Sequence, residues 1–131
     1  MRIAILGTGA LAAALGARWT RHELVIAGRS REKADALAAR LGGASAPIAS
    51  AVAGADAVLL AVPWNAVDTV LDEAGPLDGV TVVDPTNAVS HGVGVTIRPM
   101  AARIAARLPG AHVVKAFHLF PAGRWADATG A

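Results

Sequence analysis

Hydrophobic residues fall in short blocks along this chain, separated by longer stretches in which apolar and polar positions mix. Residues 3–6 (IAIL) are a continuous apolar run closed by Gly7, the pattern of a strand buried on both faces. Residues 9–19, rich in Ala and Leu, read as a helix, and residues 24–27 (LVIA) as a second buried strand ended by Gly28. Ser30 suits the N-cap of a helix that runs to Leu41, where Gly42 and Gly43 stop it. A weaker strand is expected over residues 46–48, followed by a brief helical turn to Gly54. The run 57–62 (AVLLAV) is the strongest strand of the sequence. Pro63 then opens a helix to about Ala74, with Val67, Val70 and Leu71 on one face.

Residues 80–83 form the next expected strand, which Asp84-Pro85 ends. The following loop, to Arg98, is long for a compact domain, which marks it as a functional candidate. Pro99 starts a helix whose Met100, Ile104 and Leu108 face inward while Arg103 and Arg107 face water. Pro109-Gly110 break it, Val113-Val114 make a last strand, and the tail from His118 has no clear period. Strands alternating with helices predict an α/β fold, a parallel sheet covered on both faces. Six strands in this rhythm match the doubly wound Rossmann architecture, with expected order 3-2-1-4-5-6.

Composition narrows the classes. A length of 131 residues suits one domain over residues 1–131, and 54% apolar residues supply a core. The absence of cysteine excludes disulfides, thiolate metal sites and a thiol nucleophile. The apolar run after Met1 is too short for a signal peptide or a membrane span, so a soluble, cytoplasmic protein is expected. The ten Arg and two Lys are scattered and the net charge is +2, so neither nucleic acid nor a membrane is an expected partner. A small positive balance does suit an anionic ligand.

Gly7, Gly9 and Ala12 form G-x-G-x-x-A between a strand and a helix, the setting in which that motif carries meaning. Gly7 permits a tight turn, Gly9 lets a pyrophosphate approach the backbone, and Ala12 keeps the helix close to the sheet. The phosphates would meet free N–H groups and the positive end of the helix. The plainer alternative is a glycine turn in a fold that binds nothing. Gly16 is assigned to helix packing. An NAD site carries an acidic residue about 20 positions further on. Here that place reads Ala27-Gly28-Arg29-Ser30-Arg31, without a carboxylate. Gly28 leaves room, Arg29 can pair with a 2′-phosphate or stack on adenine, and Ser30 can donate a hydrogen bond. Arg31 or Lys33 adds charge, so NADP(H) is expected rather than NAD(H), unless these are solvated residues at a helix start.

Other chemistries lack their parts. Without tyrosine there is no Tyr-Lys hydride-transfer site, and neither a G-x-S-x-G elbow nor a P-loop is present. No His, Asp or Glu grouping has metal-ligand spacing. Asp84 is read as a cap for backbone groups, and Asp68, Asp72 and Glu73 as a solvated helix face. Trp64 either shelters a cofactor or packs between helices; His91 either moves over a bound cofactor or is a solvated loop residue. His22 and His112 are assigned nothing.

Five stretches in order, "GTGALA", "AGRSREKADALA", "LLAVPWNAV", "VVDPTNAV" and "VVKAFHLFPA", resemble the NADPH-dependent coenzyme F420 reductases over nearly the whole chain. The resemblance implies hydride exchange between nicotinamide and a deazaflavin, coenzyme F420, or a flavin-like acceptor. With Gly7 making the turn of the cofactor site, it implies pyrophosphate contacts from Thr8, Gly9, Ala10 and Leu11, and 2′-phosphate contacts from Arg29, Ser30 and Lys33. Val62, Pro63 and Trp64 would flank the adenosine and ribose. Asn87, Ala116, Phe117 and His118 would border the nicotinamide and the acceptor, with His118 the one catalytic candidate. At the end of a buried strand His118 could equally bond only a backbone carbonyl. Relatives often carry Asn at that position and continue with a strand and helices that close the acceptor site and form a dimer. The resemblance thus admits a homodimer, while the sequence does not fix the oligomeric state. The alternative is a non-catalytic NADPH-binding module, or a subunit whose acceptor site is lost or completed by a partner chain.

Overall fold

The computed structural model describes residues 1–85 and 100–116. Six parallel strands form one sheet in the order β3-β2-β1-β4-β5-β6, which is the expected doubly wound arrangement. They are β1 (Arg2–Leu6), β2 (Glu23–Ala27), β3 (Ala44–Ser45), β4 (Ala57–Leu60), β5 (Thr81–Asp84) and β6 (His112–Lys115). The helices between them are α1 (Ala10–Arg18), α2 (Arg31–Leu41), α3 (Ile48–Val52), α4 (Val67–Ala74) and α5 (Met100–Arg107).

The strand runs are continuously apolar because each face of the sheet has its own helical cover. On one face Ile3, Ile5, Leu24, Ile26 and Leu59 pack with α1 and α2 through Ala12, Leu15 and Leu37. On the other Leu6, Val25, Val58, Leu60 and Val82 pack with α3, α4 and α5 through Ile48, Val70 and Ile104. Helix α2 starts and stops as its sequence indicates. The Ser30 hydroxyl accepts from the Lys33 N–H at 3.2 Å, and Gly42 takes a left-handed φ of 71° at the other end. Gly16 is a packing residue: a Cβ there would lie 2.6 Å from Leu41 Cδ1 and 3.3 Å from Ile5 Cδ1.

Several boundaries differ from the sequence expectation. The third strand is Ala44–Ser45 rather than 46–48, paired with Val25 and Ile26. Pro47 has no N–H to donate and instead occupies the N-cap of α3. The strand expected over 57–62 ends at Leu60, because its neighbour β1 turns away at Gly7 and leaves Ala61 without a ladder partner. Pro63 opens a single 3-10 turn, Trp64–Ala66, before α4 begins. The fifth strand extends to Asp84, which pairs with Lys115 rather than ending the run.

The helix surfaces also need one correction. Arg103 and Arg107 do not simply face water, and Asp68 and Asp72 are not merely a solvated face. Arg103 pairs with Asp68 across the α4–α5 contact, and Arg107 bridges Asp68 at 3.0 Å and Asp72. Asp72 first and Asp68 second hold the Arg107 guanidinium above its ordinary pKa. Ile104 and Leu108 point into the core beneath them as expected. The side chain of Met100 and the candidates Asn87, His91, Phe117 and His118 lie outside the described residues. Among the described residues no helix is long and apolar enough to cross a membrane.

Candidate functional site

A cleft of about 460 Å³ opens at the carboxyl edge of the sheet, where β1, β2 and β4 end. In a parallel sheet the turns that follow the strands all lie on this edge, and ligands of such folds bind there. Its floor is Leu6 and Ala27, partners in the β1–β2 register.

The first wall is the turn from β1 into α1. Gly7 sits at φ 132°, a conformation that side chains rarely adopt, and its N–H donates to the Ala27 carbonyl at 2.7 Å. A Cβ on Gly7 would overlap the carbonyl oxygen of Ala61, so this glycine lets β4 come close. Gly9 is different. It has an ordinary extended backbone, and a Cβ added there would meet nothing within 4 Å, because it would project into open space. Gly9 is also the N-cap of α1, whose first turn has neither a side-chain cap nor an acidic residue. The leading N–H groups of that helix therefore keep their positive field for whatever lies in front of them.

The second wall follows β2. Gly28 has the Thr8 methyl so near that a Cβ would come within 2.9 Å of it, which joins the two walls. Arg29, Ser30 and Lys33 line the cleft beyond it. Arg31 turns along its own helix instead, to Asp35 at 3.3 Å. Among the described residues no acidic side chain lines the cleft, which brings two cations together with a helix N-terminus. Ile48, Val62, Pro63, Ala66 and Val70 supply apolar lining, and Asn65 lines the cleft with them.

Eight of the residues expected to touch a dinucleotide thus share one cleft: Gly7, Thr8, Gly9, Arg29, Ser30, Lys33, Val62 and Pro63. Ala10 and Leu11 do not line it, and Leu11 packs against the core beneath α1. Trp64 does not line the cleft and is partly buried against the core on the α4 side. Ala116 lies beyond the cleft, where its N–H donates to the Asp84 carbonyl at 3.1 Å. Asp84 is fully buried, with Lys115 Nζ 3.5 Å from its carboxylate; the loop backbone it was expected to cap lies outside the described residues. Sequence reading missed Ile48, Asn65, Ala66 and Val70. The signal for Ile48, Asn65 and Ala66 was their place just after the carboxyl ends of β3 and β4, whereas Val70 lies in the first turn of α4. Among the described residues no group of three His, Cys, Asp or Glu side chains forms a metal site.

Comparison with known proteins agrees with this geometry. A family model described as NADP oxidoreductase, coenzyme F420-dependent, matches residues 2–88. A hypothetical protein from Sinorhizobium meliloti superposes with a TM-score of 0.83 at 29% identity, over 96% of this chain and 65% of its own. A candidate F420-dependent NADP reductase from Arthrobacter sp. FB24 gives 0.82 at 26% identity, over 95% of this chain and 65% of its own. The chain therefore spans 65% of the length of both. A reductive aminase from Aspergillus terreus, in complex with NADPH and ethyl-5-oxohexanoate, shares the fold with a TM-score of 0.67 at 24% identity, over 87% of this chain and 38% of its own.

Proposed function

Because the chain belongs to the family of coenzyme F420-dependent NADP oxidoreductases, we propose that its cleft binds NADP(H) for hydride exchange with a deazaflavin or flavin-like acceptor. The observation that carries this reading is the pairing of Gly9 with Arg29. Gly9 leaves open space in front of a helix N-terminus, and Arg29 with Ser30 and Lys33 stands where an NAD site would carry a carboxylate.

The residues fit the dinucleotide part by part. The Gly7–Gly9 turn and the start of α1 offer N–H groups and a positive field to the pyrophosphate. Arg29 and Lys33 offer charge, and Ser30 a hydroxyl, to the 2′-phosphate. The slot between Ile48, Pro63 and Val70 takes the flat apolar adenine. When bound, the nicotinamide supplies a hydride, and such a transfer asks the protein mainly to orient two rings and exclude water. His118 and Asn87 are proposed to border that reaction centre, as the family resemblance implies.

The test is a fluorescence titration of the full chain with NADPH and with NADH, followed by a turnover assay with coenzyme F420 and with flavin mononucleotide. Tight binding of NADPH alone and its oxidation by one of these acceptors is the expected result. Binding without turnover would make the chain a nucleotide-binding module, and no binding of either nucleotide would overturn the reading.

A further inference from the structure

The three glycines that line the cleft are there for different reasons. Gly7 needs both its φ of 132° and the lack of a side chain, while a Cβ on Gly9 would meet nothing within 4 Å. Gly28 is a third case. Its φ is not in the left-handed region, so its backbone does not call for glycine. A Cβ there would nevertheless lie 2.9 Å from the Thr8 methyl. The three nearest atoms it would meet, Cγ2, then Oγ1 at 3.8 Å and Cβ at 4.0 Å, all belong to Thr8. Space against Thr8 is what position 28 lacks.

The turn that carries Thr8 is held on two sides. The Gly7 N–H donates to the Ala27 carbonyl at 2.7 Å, and a Cβ on Gly7 would overlap the Ala61 carbonyl oxygen. With that backbone held, a side chain at position 28 fits only if the Thr8 side chain turns, and its branched Cβ is stiff about χ1. Both residues line the cleft, Thr8 in the turn assigned to the pyrophosphate and Gly28 directly past the end of β2. A displaced Thr8 side chain is therefore felt where the nucleotide lies. Position 28 is also where an NAD site would carry its acidic residue, about 20 positions after the glycine turn.

We infer that Thr8 is a specificity-determining residue for the nucleotide: its methyl fills the space that a side chain at position 28 would need, and so bars the carboxylate that would hold the ribose hydroxyls of NADH. This rests on the functional reading above and goes beyond it. Arg29, Ser30 and Lys33 favour the 2′-phosphate by attraction, whereas Thr8 closes the cleft to the competing solution by exclusion. The choice of nucleotide is then set by the turn after β1 as well as by the turn after β2. A carboxylate introduced at position 28 alone must disturb the pyrophosphate turn before it can help NADH.

The experiment is a double-mutant cycle on the full chain, read by melting temperature and by the dissociation constants of NADPH and NADH. Thr8→Ser removes the methyl and keeps a hydroxyl, and the cycle cancels whatever that change costs by itself. Gly28→Ala in the wild-type background should weaken NADPH binding about tenfold, and in the Thr8→Ser background by no more than about twofold. Gly28→Asp alone should bind both nucleotides poorly. Combined with Thr8→Ser, it should bind NADH at least about tenfold more tightly than Gly28→Asp alone does, and more tightly than it binds NADPH. Where a Gly28 variant alone fails to fold, Thr8→Ser should restore folding. Equal losses from Gly28→Ala in the two backgrounds would overturn the inference and leave the functional reading standing. So would NADH binding by Gly28→Asp alone that matches the double variant, or a double variant that still fails to fold, since the obstacle would then lie elsewhere than Thr8. A wild-type chain that binds neither nucleotide would instead overturn the functional reading, and this inference with it.

Discussion

Gly7 and Ala61 meet so closely that no side chain fits between them: a Cβ on Gly7 would overlap the Ala61 carbonyl oxygen. Two residues on, Gly9 lines the cleft, and a Cβ there would meet nothing within 4 Å. The two glycines of one motif therefore carry separate demands, one from the fold and one from the ligand. Gly7→Ala must strain a φ of 132° and displace β4, which should cost about 2–4 kcal/mol or prevent folding. Gly9→Ala should leave stability within about 1 kcal/mol, since its backbone is ordinary and its Cβ free. It should nevertheless raise the NADPH dissociation constant at least about tenfold by occupying the pyrophosphate's approach. Urea unfolding beside a fluorescence titration separates the two outcomes, and equal loss of stability in both variants would refute the division.

Arg29 is exposed beside the cleft, so its removal should cost the fold little. A charged hydrogen bond to a phosphate contributes about 1.5–3 kcal/mol, so Arg29→Ala should weaken NADPH binding by about tenfold to a hundredfold. NADH, which lacks the 2′-phosphate, should bind the variant as it binds the wild type. The ratio of the two affinities is the measurement, and an equal loss for both nucleotides would assign Arg29 to adenine stacking instead.

The ion pairs between α4 and α5 join two helices that pack over Ile104 and Val70. They are part-exposed, so Asp68→Asn, which touches both arginines, should cost only about 0.5–1 kcal/mol. The effect should shrink as salt is raised. The raised pKa of Arg107 sets its pH dependence. A group bound more tightly when protonated stabilises the fold fully below its unfolded pKa and loses that contribution only as pH rises through the higher folded value. The Arg107 contribution should therefore be flat through neutral pH and fade only in strong alkali, which thermal melts across pH would check.

How much of this was legible beforehand depended on whether a feature is local. The Ser30 cap, the Gly42 stop and the buried strand runs follow from nearest neighbours along the chain, and they appear where expected. Strand ends are set by pairing, so β4 stops at Leu60 because β1 turns at Gly7, more than 50 positions away in sequence. The α4–α5 ion pairs and the Asp84–Lys115 pair join residues more than 30 positions apart, and an isolated Asp on a helix or strand gives no hint of them. The apolar slot was missed for a related reason. Ile48 and Val70 look like core residues from their periodicity, and the structure has them serve both core and cleft wall.

Ser30 separates local structure from ligand preference in one residue. Its hydroxyl caps α2 by accepting from Lys33 N–H while it lines the cleft beside Arg29. Ser30→Ala should lose about 1 kcal/mol of stability with the cap. Ser30→Asp should keep the cap, because aspartate accepts the same hydrogen bond and suits a helix N-terminus. It would also place a carboxylate near the position that holds ribose hydroxyls in NAD sites. The expected outcome is a melting temperature close to that of the wild type, NADPH affinity lowered by at least about a hundredfold from charge repulsion, and NADH affinity equal or improved. Paired titrations of this variant with NADPH and NADH are the check. If NADPH affinity survives the new charge, the 2′-phosphate does not sit beside Ser30, and the cleft must hold its nucleotide in another orientation.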